Sequence, residues 1–256
     1  PRTDTNQYGP NGQAHWNSII WPHHASVLRG LCWLLCDQED AELARAFRAV
    51  ATACYRKGPG GHRAVKVGTA AVYALRQMPG RTSLAHLAVL RTKIKFGTAQ
   101  AMIRKAFDAI ATREGIAPSE IEELAAPTYF LTGVGVGDCA LGEHRAAVSI
   151  DADSCTNVRL TWIGPNQRIL RSTPAAVRKD FAEDARELAA LIKDMRAMLS
   201  AQRDRIDALF IEPRTWTLAS WRERYLDHPL VGVIARRLIW LFDDGTTTTA
   251  AVWLRD

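Results

Sequence analysis

The sequence predicts a mainly α chain of the α+β class, and three observations carry that expectation. Apolar residues recur at helical spacing from Trp16 to Leu124. Between Pro127 and Arg171 the period drops to two, the spacing of half-buried strands. After Pro174 neither Pro nor Gly interrupts the chain as far as Phe210, and an apolar stripe runs through mixed charges.

Taken in order, residues 1–15 form an extended lead-in, because Pro1 to Gly12 is rich in Asn, Gly, Pro and Gln and has no apolar periodicity. Residues 16–126 follow as a helical repeat-like domain. Val27, Leu31, Leu34 and Leu35 share one helical face, and Leu43, Phe47, Val50 and Cys54 repeat the spacing. Val65, Gly68, Val72 and Leu75 continue it, then Leu84, Leu87 and Leu90, then Ile103, Phe107 and Ile110. Breaks at Asp37 to Asp40, Gly58 to Gly61, Pro79-Gly80 and Lys95 to Gly97 recur about every twenty residues, as between stacked helices. Gly115 is placed as a C-terminal cap, and Pro118 suits the first turn of a short helix. This spacing resembles HEAT-like α-repeats, in which each helix pair buries its apolar face only against its neighbours.

Residues 127–172 read as a small antiparallel β-sheet. Ala146, Val148 and Ile150 alternate with more polar neighbours, Val158, Leu160 and Trp162 do the same, and Gly164-Pro165-Asn166-Gln167 forms a hairpin turn before Ile169-Leu170. Residues 173–256 are expected to hold a long helix and two shorter ones. Thr173 as N-cap and Pro174 at the first position open the long helix, whose stripe is Leu188, Ile192, Met195, Leu199, Ile206 and Phe210. Helices over Leu218 to Leu226 and Pro229 to Phe242 follow, the second with Val231, Ile234, Leu238 and Leu241 on one face. Thr246 to Leu254 has the β-branched composition of a strand and no evident partner strand.

Composition narrows the function classes. With 47% hydrophobic and 23% charged residues the chain is globular rather than disordered. The longest apolar runs, Leu31 to Cys36 and Leu238 to Phe242, fall far short of the ~20 residues of a membrane span, and the first residues have no signal-peptide pattern. No membrane association is expected, and an odd count of five cysteines suits a reducing cytoplasm. The net charge of +6, spread along the chain, favours polyanionic partners weakly.

No motif for a catalytic centre emerges. The segment Lys57 to Lys66 has a Gly-rich turn before a helix, but a helix rather than a strand precedes it and no Lys-Ser/Thr pair follows, so it is not a nucleotide P-loop. As an inter-helix turn it still offers an anion-binding alternative through Arg63 and Lys66, joined by Lys93 and Lys95. The histidines lack ligand spacing, and Cys32 and Cys36, four apart among leucines, read as packing; no metal and no cofactor are expected. No nucleophile elbow occurs.

The most distinctive stretch is Arg214 to Leu230, where Trp216, Trp221, Arg222, Arg224 and Tyr225 interleave aromatics and cations, with Arg236 and Arg237 beyond it. Such a series suits a peptide or nucleic-acid platform, or equally a helix packed through Trp221 and Tyr225. Arg214-x-Trp216, the run Trp221 to Leu230, Ala235 to Trp240, Leu28 to Leu31, Cys54 to Gly60, Lys66-Val67-Gly68 and Glu122 to Thr128 together resemble a bacterial domain of unknown function found in MolR-like (molybdate metabolism regulator) proteins, some of which carry a WGR module. The resemblance implies a segment of a larger bacterial protein and brings no reaction with it. No WGR motif is present here.

The reading these features favour is a non-catalytic regulatory or protein-interaction scaffold of the cytoplasm, partnered by other domains of the same larger protein or by a separate protein. A nucleic-acid or other polyanion-binding module is the first alternative. An enzyme with a non-obvious site is the second.

Overall fold

The computed structural model describes residues 20–58, 61–151, 154 and 156–254. The lead-in, the opening of the helical pattern at Trp16, Pro59-Gly60 and Cys155 lie outside the described residues. The chain is mainly α with small antiparallel sheets, and it divides into two compact units, Pro1–Ala125 and Ala126–Asp256.

Among the described residues of the first unit six helices follow one another: α1 (Pro22–Leu34), α2 (Ala41–Tyr55), α3 (Val65–Gln77), α4 (Thr82–Lys93), α5 (Gly97–Glu114) and α6 (Pro118–Leu124). A short hairpin, β1 (Lys57–Gly58) and β2 (Gly61–His62), joins α2 to α3. Asp40 starts α2 by accepting the Leu43 amide at 2.8 Å, one of the orphan donors of a helix start. Gly115 ends α5 in the left-handed conformation expected of it. The core gathers the residues expected from periodicity: Leu75, Leu84, Leu87, Leu90, Ile103 and Ile110 are fully buried. Arg113, near the end of α5, donates to the Arg76 and Met78 carbonyls at 2.8 Å each, satisfying the last acceptors of α3.

The first helix departs from expectation. Val27, Leu31 and Leu34 face outward, with Leu34 76% exposed, while Leu28, Cys32 and Cys36 turn inward. Both stripes are apolar, so spacing alone did not distinguish which one met the core.

His86 on α4 is pushed down to about 4 by burial and by the neighbouring Arg48 and Arg45 guanidiniums. Its folded value lies below its unfolded one, so the unfolded chain binds more protons between the two, and stability falls as pH drops from about 6.5 through about 4. His86→Gln is therefore expected to flatten the pH dependence of urea unfolding in that window by about 1 to 3 kcal/mol. An unchanged slope in the variant would show that carboxylates alone set it.

The second unit starts with the five-stranded meander β3 (Leu131–Gly133), β4 (Val136–Leu141), β5 (His144–Ile150), β6 (Val158–Ile163) and β7 (Ile169–Leu170), ordered as in the chain and antiparallel throughout. Ala146, Val148, Ile150, Val158 and Trp162 are buried, as alternation requires. The helix α8 (Ala182–Ala208) packs on β6, and Arg196 donates to the Val158 carbonyl at 2.6 Å.

The expected single helix from Pro174 to Phe210 is two. α7 (Ala175–Asp180) is capped at Pro174 rather than Thr173, and the chain breaks at Phe181, whose ring lies against Gly142 in the β4–β5 turn, where a Cβ would come within 2.8 Å of it. Phe210 lies beyond the end of α8 and is 75% exposed. The rest of the stripe, Leu188, Ile192, Met195, Leu199 and Ile206, is buried.

The two shorter helices shrink further. α9 (Leu218–Trp221) is one turn and passes into a π-helical turn (Arg222–Leu226), closed by the Asp227 amide donating to the Arg222 carbonyl at 2.7 Å. The expected helix from Pro229 to Phe242 survives only as α10 (Gly232–Ala235). Ile239–Asp243 is instead a strand, β8, and it supplies the partner that Thr246 to Leu254 lacked on paper: β9 (Thr248–Val252) pairs with it antiparallel. Asp244 organises the turn by accepting from the Thr246 hydroxyl at 2.6 Å and from the Thr247 and Thr246 amides at 2.8 Å each, and these bonds, the hydroxyl first, hold its carboxyl well below the usual range.

Once the unit boundary is known, the charge divides unevenly, contrary to the even spread expected. Up to Ala125 there are 16 Lys and Arg against 10 Asp and Glu, and from Ala126 onward 17 against 17. The whole excess belongs to the first unit.

Candidate functional site

The second unit carries a groove of about 350 Å³. One wall is the end of α8 and the chain leaving it, from Ile206 to Trp216; the other is the unbroken run Leu238 to Asp243, with Trp221 and Leu218 between. Six consecutive residues of or beside one strand border the groove, which means that it follows the strand's edge, because a groove over one face would meet alternate residues only. Among the described residues β8 pairs with β9 alone, so its other edge has no strand.

The groove's base is an aromatic cluster. Tyr225 is fully buried, with the Trp216 ring at 5.0 Å and the Trp240 ring at 5.4 Å, both edge to face. Trp221 meets Trp240 at 5.4 Å and Phe242 at 5.0 Å. Arg205 of α8 donates to the Tyr225 hydroxyl at 2.9 Å and stacks over its ring at 5.2 Å, fixing the cluster to the long helix. Of the aromatics expected to meet a partner, Trp216 is half-buried at the groove and Trp221 borders it though buried, whereas Tyr225 lies beneath it.

The cations expected beside them have structural partners. Arg222 donates to Asp227 at 3.0 Å; Arg236 donates to the Leu226 carbonyl at 3.0 Å, approaches Asp227 at 3.7 Å and lies over Trp253 at 4.4 Å. Arg224 is half-buried and Arg237 exposed, and neither borders the groove. His228 is a cap: its Nδ1 accepts from the Leu230 and Val231 amides at 3.1 Å each, and its Nε2 meets the Ala126 carbonyl at 3.2 Å. Two donors on Nδ1 require the neutral ring, in keeping with the lowering of its pKa by burial.

Sequence reasoning missed the strand wall, Trp240 and Phe242 above all. The signal was present in Ile239 to Phe242, a short apolar run closed by Asp243-Asp244-Gly245 and followed by β-branched residues, which is a hairpin pattern as well as a helical one.

In the first unit Arg63, Lys66, Lys93 and Lys95 come from separate segments that meet at one end of the helices. His62 stacks on Phe96 at 4.2 Å, and Phe96 also meets Tyr55 at 6.0 Å. The β1–β2 hairpin thus lies against the α4–α5 connection, and all four cations are exposed.

The remaining chemistry is muted. Burial is the largest cause raising the thiols of Cys32, Cys36, Cys54 and Cys139 above their ordinary values, so none is an activated nucleophile. Among the described residues no group of three or more His, Cys, Asp or Glu is placed to hold a metal ion, and no helix is long and apolar enough to cross a membrane.

By architecture this is a mainly α chain whose second unit, a meander braced by a long helix, ends in an aromatic groove and a two-stranded hairpin. Residues 168–255, which include the whole groove, match the family model described as a domain of unknown function (DUF4132), about a third of the chain. No curated protein and no solved structure matches.

Proposed function

We propose that the chain is a non-catalytic interaction module whose groove takes an extended, apolar peptide segment of a protein partner as an added strand. One observation carries this reading: the groove runs along a strand edge that has no neighbouring strand among the described residues, and it has aromatic rings at its base. An added strand satisfies the backbone groups of that edge, and side-chain pockets select the sequence. Support comes also from the hairpin itself, since two strands alone are marginal in water. Ile239, Leu241 and Val252 on its outer face are between 54% and 72% exposed, which is the pattern of a sheet meant to be covered.

The setting proposed for it is that of the MolR-like resemblance: a scaffold segment of a larger bacterial cytoplasmic protein, its first unit stacked in the HEAT-like manner. Other domains of that protein then rank first as sources of the peptide.

The test is selection of peptides from a random displayed library on the immobilised chain, followed by titration. The expected result is enrichment of alternating apolar peptides that protect β8 amides from hydrogen exchange and bind Trp216→Ala at least tenfold more weakly. Failure to enrich any peptide would overturn the proposal. So would peptides indifferent to Trp216→Ala, or a concentration-dependent dimer abolished by Leu241→Lys, which would assign the edge to a second copy.

A further inference from the structure

The cationic end of the first unit is independent of the groove, and its sequence bias is larger than the net charge discloses. Between Leu43 and Arg113 the chain holds 14 Lys and Arg against one acidic residue, Asp108. The other nine acidic residues of this unit lie outside that stretch, before Leu43 and after Arg113.

Folding gathers part of this charge. Lys57 pairs with His62 across the β1–β2 hairpin, and the Arg63 amide donates to the Arg56 carbonyl at 3.2 Å, so Arg56, Lys57 and Arg63 share one short ribbon. The His62–Phe96 stack brings that ribbon against Lys95, and Lys66 follows in the first turn of α3. Arg56, Lys57, Arg63, Lys66 and Lys95 are all exposed. Helix dipoles do not explain the grouping: α3 and α5 begin here, but α2 and α4 end here, and their end charges largely offset. The potential at this end is therefore made by side chains. Nearby on α4, Arg91 is already bonded to Glu122 at 2.6 Å.

We infer that this end of the first unit binds the phosphodiester backbone of a nucleic acid, with Lys57, Arg63, Lys66 and Lys95 as the phosphate contacts. Charge complementarity identifies the class of ligand, because cations spaced along a ribbon and an adjoining turn meet successive phosphates, whereas a single small anion needs a converging pocket. The half-buried Phe96 and His62 rings lie among these cations, where an unpaired base can stack. A lipid surface fits less well. Anchoring there joins cations to protruding apolar side chains, and no large exposed hydrophobe lies between Cys36 and Val72 or between Ala74 and Ala125 among the described residues.

The experiment uses the whole chain and fluorescence anisotropy with labelled oligonucleotides of about 20 residues, single-stranded and duplex, longer than the site of a typical single module. Four phosphate contacts predict a slope of log affinity against log salt of about −3 to −4, and so roughly a hundredfold loss between about 50 and 200 mM salt. Reversing Lys57, Arg63, Lys66 and Lys95 to Glu should abolish binding. Reversing Arg171, Arg178, Lys179 and Arg186, exposed cations of the second unit, makes the same change in net charge and should leave most of it. Neutral Gln replacements at the first four positions, with circular dichroism confirming the fold, should reproduce the loss without added repulsion.

Absence of binding at low salt, or equal loss in the two reversal variants, overturns the inference. Binding to phosphatidylserine vesicles without binding to either oligonucleotide does so too, and reassigns the surface to a membrane. Competition by inorganic phosphate at millimolar concentration as effective as by oligonucleotide would reduce the site to a simple anion hole, which also overturns it.

Discussion

Replacing Tyr225 by Ala is expected to destabilise the second unit by about 3 to 5 kcal/mol, the range for removing a large aromatic from a packed core. The side chain has no exposed surface, and it is the piece that Trp216, Trp240 and Arg205 all touch. Its removal leaves a cavity bounded by two indoles and a guanidinium that has lost an acceptor. Tyr225→Phe separates the contributions. It keeps the ring and forfeits the hydroxyl that accepts from Arg205, so about 1 to 3 kcal/mol should be lost. Urea unfolding followed by far-ultraviolet circular dichroism and by tryptophan fluorescence checks both. A loss below about 1 kcal/mol for Tyr225→Ala would mean that the cluster does not hold α8 to the groove.

Gly137→Val should cost about 3 kcal/mol or more, although valine is a far better strand residue than glycine. Gly137 sits in β4 opposite Leu131 of β3, where the register between the two strands shifts. A Cβ there would come within 2.6 Å of the Phe130 carbonyl oxygen and 2.8 Å of the Leu131 Cα. Both are backbone atoms, so no side-chain rotation relieves the clash, and β3 must move or detach. Gly97→Ala is the control, since nothing lies within 4 Å of its would-be Cβ, and it should change stability by no more than about 0.5 kcal/mol. Denaturation midpoints of the two variants side by side are the measurement. Equal midpoints would show that β3 yields without cost.

What was readable beforehand depended on whether a residue's own neighbours in sequence decide its environment. The helical stripes of α2 to α5 and the alternation in β5 and β6 were readable, because burial on one face repeats with the period of the element. Gly115 and the Gly164 to Gln167 turn were readable because both need local backbone geometry that few residues supply. The groove was only half readable. Trp216, Trp221 and Tyr225 stand out in composition, yet their partners Trp240 and Phe242 fell inside an apolar run whose spacing fits a helix and a strand equally well. Pairing with Thr248–Val252 decided the matter, and pairing is a property of two segments at once.

The same division holds across both units. Sequence by itself determined that this is a mainly α chain with a β insert, and where the breaks between the helices of the first unit fall. The tertiary structure alone decided which of two apolar stripes on α1 faces the core, that the long helix breaks at Phe181, and that Lys57, Arg63, Lys66 and Lys95 share one end of the unit. The physical reason is common to all three. Periodicity and capping act over one or two turns, whereas the choice of a buried face, a break or a shared surface depends on what a distant segment brings to meet it: the helix beside α1, Gly142 beneath Phe181, and Phe96 beneath His62.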